Sequence, residues 1–253
     1  MMRANKPEGY LSRKLNKLSR KYYYFPKVKR FMAGKSGLEI GGPSQIFSRK
    51  GYLPVYPIAD TVDGCNFSNN TVWENVITEG PNYHYEDKML GYQYIKDATA
   101  LEGIDSEKYD FVLSSHSLEH IANPIKAVKE WLRVLKKGGV LLLIVPDKNY
   151  TFDHKRPFTT FEHLMDDYNK GTTEHDLTHL EEILSLHDLS LDLPAGNIDQ
   201  FKSRSQDNYI NRCLHQHVFD FTLLEQVFNH FKLKIIFRKA SRPLNLIIMG
   251  QKQ

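Results

Sequence analysis

Two cysteines, Cys65 and Cys213, occur in 253 residues, too few for a disulfide framework or a cysteine-built metal site. Long hydrophobic runs are missing too. The longest, Val140 to Val145, has six residues, against the roughly 20 that a membrane-spanning helix needs. No apolar stretch follows the basic start Met-Met-Arg-Ala-Asn-Lys, so a secretory leader is not expected and a reducing, cytoplasmic setting is. Internal repeats and low-complexity tracts are absent. The composition, 41% hydrophobic, 12% aromatic and 25% charged, suits a chain that buries a core and excludes collagen-like and disordered classes.

The net charge of +4 is unevenly spread: residues 1–35 hold eleven Lys or Arg against Glu8 alone. Within this basic arm Leu11, Leu15, Leu18 and Tyr22 recur at helical spacing, which predicts a short amphipathic helix with a cationic outer face. The arm suits peripheral contact with a polyanion or an anionic membrane surface, or else a solvated helix whose apolar stripe packs on the domain that follows. No basic and aromatic binding motif accompanies it, so nucleic acid is not an expected partner. Oligomeric state is not legible in the sequence.

Residues 36–253 read as one domain. Leu38-Glu39-Ile40 is a short buried strand running into Gly41-Gly42-Pro43-Ser44, a turn that lets a ligand approach the backbone. Leu53 to Ile58 is a candidate strand interrupted by Pro54 and Pro57, and Tyr92 to Ile95 is another, ending at Asp97-Ala98. Phe111-Val112-Leu113 stops at Ser114-Ser115-His116. Asn123-Pro124 then supplies an N-cap and a first-turn proline. Ile125, Val128, Leu132 and Leu135 share one helical face, Gly138 is placed as the left-handed stop, and Val140 to Val145 forms a strand covered on both faces. Strand, helix and buried strand make a right-handed parallel crossover, hence an α/β class.

Past Pro146 about 75 residues intervene before a helix over Thr222 to Phe231 and closing strands over Lys234 to Phe237 and Leu244 to Met249. Residues 147–220 are therefore expected to be a folded insertion. Thr159 with Glu162, and Thr178 with Glu181, have capping-box spacing and predict two helix starts.

In such sheets the ligand sits at the carboxyl ends of the strands. Asp60 or Asp63 lies where an acid accepts from ribose hydroxyls, and Asp97, followed by the small Ala98, suits the exocyclic amine of adenine. The turn does not match G-x-G-x-x-G, and Pro43 has no amide to give a pyrophosphate, which disfavours a nicotinamide dinucleotide. S-adenosylmethionine carries no phosphate and bears a sulfonium and an ammonium. For it an acid such as Glu39 and one close backbone approach at Gly41 suffice.

The segments Leu38-Glu39-Ile40-Gly41-Gly42-Pro43-Ser44, Tyr109 to His120 and Val134-Leu135-Lys136-Lys137-Gly138-Gly139 resemble the class I S-adenosylmethionine-dependent methyltransferases of the type 11 kind over residues 36–149. The resemblance implies a Rossmann-like, mostly parallel seven-stranded sheet ordered 3-2-1-4-5-7-6, with helices on both faces and the last strand antiparallel. The insertion would follow strand five. It also implies a cofactor site at Glu39, Gly41, Gly42, the acid after strand two, Asp97, Ala98, Ser115 and His116. The loop departs from the usual G-x-G at Pro43 and Ser44. Phe152 to Pro157 and Arg212 to Phe219 look like a branch associated with glycan assembly, which suggests a sugar or other small hydroxylated acceptor.

Nine of eleven histidines fall between His116 and His217. Transfer to a hydroxyl needs in-line geometry and a base, and histidine titrates near neutrality. His154, flanked by Asp153, and the pair His215 and His217 are the catalytic candidates. Metal binding competes as a reading, with His215 and His217 on one face of a strand and Asp153 or Asp147 adding oxygen; a capping Thr178 separates His175 from His179, and no metal ligands are assigned. A cofactor binder without turnover and a metal-dependent hydrolase are the alternatives to the methyltransferase.

Overall fold

The computed structural model describes residues 23–72, 75–241 and 243–253. The amphipathic helix expected around Leu11 to Tyr22 lies outside them. The described part of the basic arm forms α1 (Phe25–Met32), which buries Val28 and Met32 and turns Lys29 and Arg30 outward.

The sheet is built from β1 (Ser36–Ile40), β2 (Thr61–Asn66), β5 (Gly80–Tyr85), β6 (Lys88–Ile95), β7 (Tyr109–Ser115), β8 (Leu135–Pro146), β9 (Lys234–Ser241) and β10 (Asn245–Gln251). A separate ribbon pairs β3 (Asn70–Thr71) with β4 (Asn75–Val76). The strand order is β5-β6-β2-β1-β7-β8-β10-β9. The seven strands from β6 to β9 reproduce the expected order, with β6, β2, β1, β7 and β8 parallel and β10 antiparallel to both neighbours. The count is eight rather than seven because β5 adds an antiparallel edge strand to β6.

A second correction concerns Leu53 to Ile58, which is turn rather than strand. Pro54 and Pro57 remove the donors that a ladder needs. The true second strand is Thr61–Asn66, paired in register with β1 from Ser36↔Thr61 to Ile40↔Cys65.

Alternate residues of the central strands enter opposite cores, as a two-residue period requires. Val112, Leu141 and Leu143 pack with Ile125, Val128 and Trp131 of α2 (Pro124–Val134), and with Leu224, Val227 and Phe228 further along the chain. Phe111, Leu113, Leu142 and Ile144 pack on the other face with Val28, Met32, Phe47, Leu53 and Val55. That face is covered by α1 and an irregular stretch, with only a 3-10 turn, Gln45–Phe47, between β1 and β2. Burial of each such Val, Leu or Phe contributes roughly 1.5–3 kcal/mol. Asn123 caps α2, its side chain accepting from the Lys126 amide at 3.0 Å. The helix gives way at Leu135 directly to β8, so Gly138, left-handed at φ 74°, lies within that long strand rather than stopping the helix.

After β8 the chain leaves the sheet and forms α3 (Phe161–Lys170), α4 (Leu180–Leu186), α5 (Ile198–Gln206) and the single turn α6 (Asn208–Asn211), before α7 (Phe221–His230) returns to it. Leu164 of α3 joins the main core, while Ile183, Ala195, Phe201 and Leu214 make a small core of their own. The first cap is Thr160, one residue past the expected Thr159; its hydroxyl accepts from the His163 amide. Thr178 turns its hydroxyl to Asp176 instead of capping, and α4 begins after His179. Among the described residues no helix is long and apolar enough to cross a membrane.

Candidate active site

A cavity of about 300 Å³ opens at the carboxyl ends of β1, β2, β6 and β7, with Gly41, Asn66, Asp97, Ser115, His116 and His120 on its wall. Gly41 is fixed there by sterics. It has φ +77°, and a Cβ on it would meet Ser117 Oγ at 2.1 Å, so any side chain strains the turn and fills the place where a ligand meets the backbone.

Glu39 does not reach this wall. Its fully buried carboxylate lies behind the turn, where Oε2 accepts from the hydroxyls of Tyr56 at 2.7 Å and Tyr83 at 2.8 Å, while Oε1 has no hydrogen-bond partner. Burial outweighs the opposing influence of Ser44, Tyr56 and Tyr83 and pushes its pKa up to about 7. A Cβ on Gly42 would meet Glu39 Cδ at 2.3 Å; Gly42 thus packs on the carboxylate rather than facing the ligand. The expectation that both line the cofactor is replaced by a supporting role.

Asp60 and Asp63 are also off the wall. Asp60 precedes β2 at the strand's amino end. Asp63, within the strand, accepts from the Tyr92 amide at 2.8 Å and the Tyr109 hydroxyl at 2.7 Å, and pairs with Lys108 at 3.3 Å. At the carboxyl end stand Asn66 and Phe67, and Asn66 Nδ2 donates to the Gly42 carbonyl at 2.9 Å. From Thr61 to Gly64 the strand runs exposed, buried, half-buried and buried, and Cys65 and Asn66 are then buried in turn, a pattern too short to mark Asn66 in the sequence. The proline-broken run before it had displaced the strand.

Asp97, Ala98, Ser115 and His116 all border the cavity, where the sequence placed them. Asp97 Oδ1 accepts from the amide and hydroxyl of Thr99 at 2.8 and 2.7 Å, and Oδ2 pairs with Arg212 at 3.1 Å. Burial opposes its ionisation, but these hydrogen bonds and the guanidinium hold the carboxyl below its ordinary range. His116 is left-handed at φ 53° and its Nε2 donates to Asn245 Oδ1 at 2.8 Å.

The four catalytic candidates separate into three places. Asp153 and His215 meet: Asp153 Oδ2 accepts from His215 Nδ1 at 2.5 Å. Arg156, only 2% exposed, fixes the carboxylate through Asp153 Oδ1 at 3.1 Å and donates to the His215 carbonyl at 2.7 Å. Burial disfavours the Asp153 charge, but the His215 ring and then Arg156 overcome it and pull the pKa to about 2. Burial likewise disfavours imidazolium at His215, and Asp153 more than offsets it, so that pKa is raised. His154 instead points to Asp188 at 2.9 Å near the surface. His217 is buried with Nε2 3.3 Å from the Ala122 carbonyl, beside His163 and His179. Burial above all drives its pKa down to about 3.

His120 was not among those candidates, yet it joins the two halves of the site. It lies on the cavity wall, and its ring meets that of His215 edge to face with centroids 4.6 Å apart. Its Nδ1 donates to the Leu214 carbonyl at 3.0 Å. Burial, and then the neighbouring His215, hold His120 neutral by lowering its pKa well below the usual imidazole value. A contact between a loop after β7 and residues 95 positions later leaves no sequence signal.

The crossover sheet and the crevice at its strand ends define a Rossmann-like α/β fold with its ligand site where such folds carry it. The sequence profile of the methyltransferase domain family matches residues 10–193, and the chain belongs to that family. Its cofactor is S-adenosylmethionine. Similar solved structures include a Listeria monocytogenes protein described as an S-adenosylmethionine-dependent methyltransferase, 16% identical over 93% of this chain and 99% of that one, with TM-score 0.48. SAM-dependent methyltransferases from Methanosarcina mazei (16% identity, 90% and 97% covered, TM-score 0.48) and Aquifex aeolicus (11%, 95% and 96%, 0.43) are similar as well. No curated protein matches the chain.

The residues present fit that cofactor. The side-chain-free approach at Gly41 suits a group lying against the turn, Phe67 and Ala98 offer apolar walls, and Asn66 and Asp97 offer polar groups at adjacent strand ends. When bound, the cofactor supplies an electrophilic methyl group on a sulfonium.

Proposed function

We propose that this methyltransferase acts on the oxygen of a sugar or a glycan-linked hydroxyl, with His215, backed by Asp153, taking up the acceptor proton directly at Nε2 and His120 standing beside it on the cavity wall. The observation that carries the reading is the 2.5 Å contact between His215 Nδ1 and Asp153 Oδ2, one ring away from the cofactor cavity. A hydroxyl needs its proton removed as the oxygen forms its new bond to carbon and the carbon–sulfur bond breaks. An ionised Asp153 fixes the His215 tautomer with Nδ1 protonated, leaving Nε2 as the basic atom, and stabilises the imidazolium that forms. Arg156 keeps the carboxylate aimed. The insertion carries Asp153, Arg156 and His215, so it supplies the acceptor side while the sheet supplies the cofactor side.

The resemblance of Phe152 to Pro157 and Arg212 to Phe219 to a glycan-assembly branch supports the acceptor class. The test is transfer of a labelled methyl group from S-adenosylmethionine to a panel of mono- and oligosaccharides, with amines and catechols as controls. Label in a base-stable ether on a sugar is the expected result. Label confined to amines overturns the oxygen assignment.

A further inference from the structure

We propose that His163, Asp167, His179 and His217 form a closed binding site for one zinc-class divalent cation, separate from the cofactor cavity. Nothing in the sequence pattern pairs these residues. His163 and Asp167 are one turn apart on α3, His179 immediately precedes α4, and His217 sits on the segment returning to α7. The fold nevertheless brings one ring nitrogen from each histidine within 4.8 Å of the others.

The spacing is that of a coordination shell. His163 Nε2 lies 3.0 Å from His179 Nε2 and 3.3 Å from Asp167 Oδ2. Four ligands at about 2.0–2.1 Å around a tetrahedral zinc are about 3.3 Å apart. The ring centroids, 4.8, 5.7 and 5.8 Å apart, enclose a common centre instead of stacking.

Hydrogen bonding alone leaves the cluster incomplete. Among the described residues, Asp167 Oδ2 and His217 Nδ1 are both buried with no partner of hydrogen-bond geometry, the 3.3 Å ion-pair contact of His163 with that oxygen apart. A buried polar atom left without a partner destabilises a fold, and here two lie in one group of four side chains. Asp167 Oδ1 is otherwise engaged, accepting from the Thr172 hydroxyl at 3.1 Å, which aims the second oxygen inward. His217 Nε2 faces the Ala122 carbonyl at 3.3 Å, an outer partner of the sort that orients a metal-binding imidazole.

Three imidazoles and one carboxylate suit a borderline cation of the zinc type; calcium and magnesium demand more oxygen. Four protein ligands make the site structural rather than catalytic. The ion would tie α3, the start of α4 and the returning chain together. His217 is itself joined to the loop after β7, its amide donating to the Glu119 carbonyl at 3.2 Å. It would therefore hold the insertion in place over the sheet.

The test uses the full-length protein, purified without added metal, then dialysed against chelator and titrated with zinc or cobalt. Expected are about one bound equivalent, the intense visible absorption of four-coordinate cobalt, and a lower Tm after metal removal. His179→Ala is expected to weaken zinc binding at least about tenfold, with His163→Ala as the second variant. Absence of stoichiometric zinc together with absence of the cobalt spectrum overturns the proposal. So does binding that survives His179→Ala and is lost in His215→Ala, because the ion would then sit with Glu119, His120 and His215. These metal readouts do not depend on the acceptor, so failure here leaves the sugar assignment to its own test.

Discussion

The Arg212 guanidinium lies 3.1 Å from Asp97 Oδ2 through one terminal nitrogen and 2.9 Å from Glu174 Oε1 through the other. It also stands over the Phe67 ring at 5.0 Å. Arg212 ends α6 of the insertion, whereas Asp97 and Phe67 belong to the cofactor wall, so this side chain couples the acceptor half to the cofactor half. Arg212→Ala is expected to leave Glu174, buried and already raised in pKa chiefly by burial, without its counter-ion. Removing one partner of a buried pair costs about 3–5 kcal/mol; Arg212 is 14% exposed, so the lower end applies. Thermal unfolding should show the loss, and titration with S-adenosylhomocysteine should show weaker binding. Unchanged affinity and Tm would refute the coupling.

The Asp153–His215 pair sets a pH dependence whose sign follows from the shifts. His215 accepts a proton only when neutral, so the rate should rise with pH to an inflection above that of an ordinary histidine. Asp153→Asn removes the stabilisation of imidazolium, moves that inflection to lower pH and lowers kcat by roughly 10²- to 10⁴-fold. The stability sign is opposite for His215: its contribution is complete below about pH 6.5, the unfolded value, and is lost as pH rises through the raised folded pKa. The depressed Asp153 contributes above its unfolded value and loses that contribution as pH falls toward about 2. Rate profiles of wild type and Asp153→Asn decide the matter; coincident inflections argue against the pair as base.

Asn66, not Asp60 or Asp63, should control cofactor affinity. Asn66→Ala removes a polar group from the wall and the hydrogen bond that fixes the Gly42 carbonyl. A loss of about 1–3 kcal/mol, or roughly 5- to 150-fold in Kd for S-adenosylhomocysteine, is expected. Asp60→Ala should bind normally. Asp63→Ala should lower Tm without a comparable loss of affinity, since its partners are Tyr92, Tyr109 and Lys108. Calorimetric titration of the three variants separates them, and a large affinity loss confined to Asp60→Ala would restore the acid before the strand as the ribose ligand.

Legibility followed the reach of the interactions. The crossover from Phe111 to Val145 was readable because capping, apolar period and the unbroken buried strand are local. The seven-strand order was readable only through the family resemblance. Thr61–Asn66 was passed over because Asp63 and Gly64 interrupt its apolar alternation, and Asp63 is tolerated there by hydroxyl, amide and ammonium partners remote in sequence. Of the site, Asp97, Ala98, Ser115 and His116 could be placed from strand ends. His120 beside His215, and Asp167 among three histidines, depend on the path of a 74-residue insertion across the sheet, which no local pattern encodes.

Glu39 gives a stability test independent of any ligand. In the unfolded chain it ionises near the ordinary carboxylate value of 4.5, while in the fold burial raises it to about 7. The folded state therefore binds more protons between these values, and stability from this residue is fully present below pH 4.5 and lost as pH rises through 7. The shift corresponds to about 3 kcal/mol. Glu39→Gln keeps an acceptor for Tyr56 and Tyr83 but cannot ionise. Its stability relative to wild type should increase steadily from pH 4.5 to 7 and level off above that, even if the amide fits less well at every pH. Urea unfolding of both proteins across this range measures the difference. A pH-independent difference would mean that Glu39 ionises in the fold as readily as in the unfolded chain, with Ser44, Tyr56 and Tyr83 fully offsetting its burial behind the Gly41 turn.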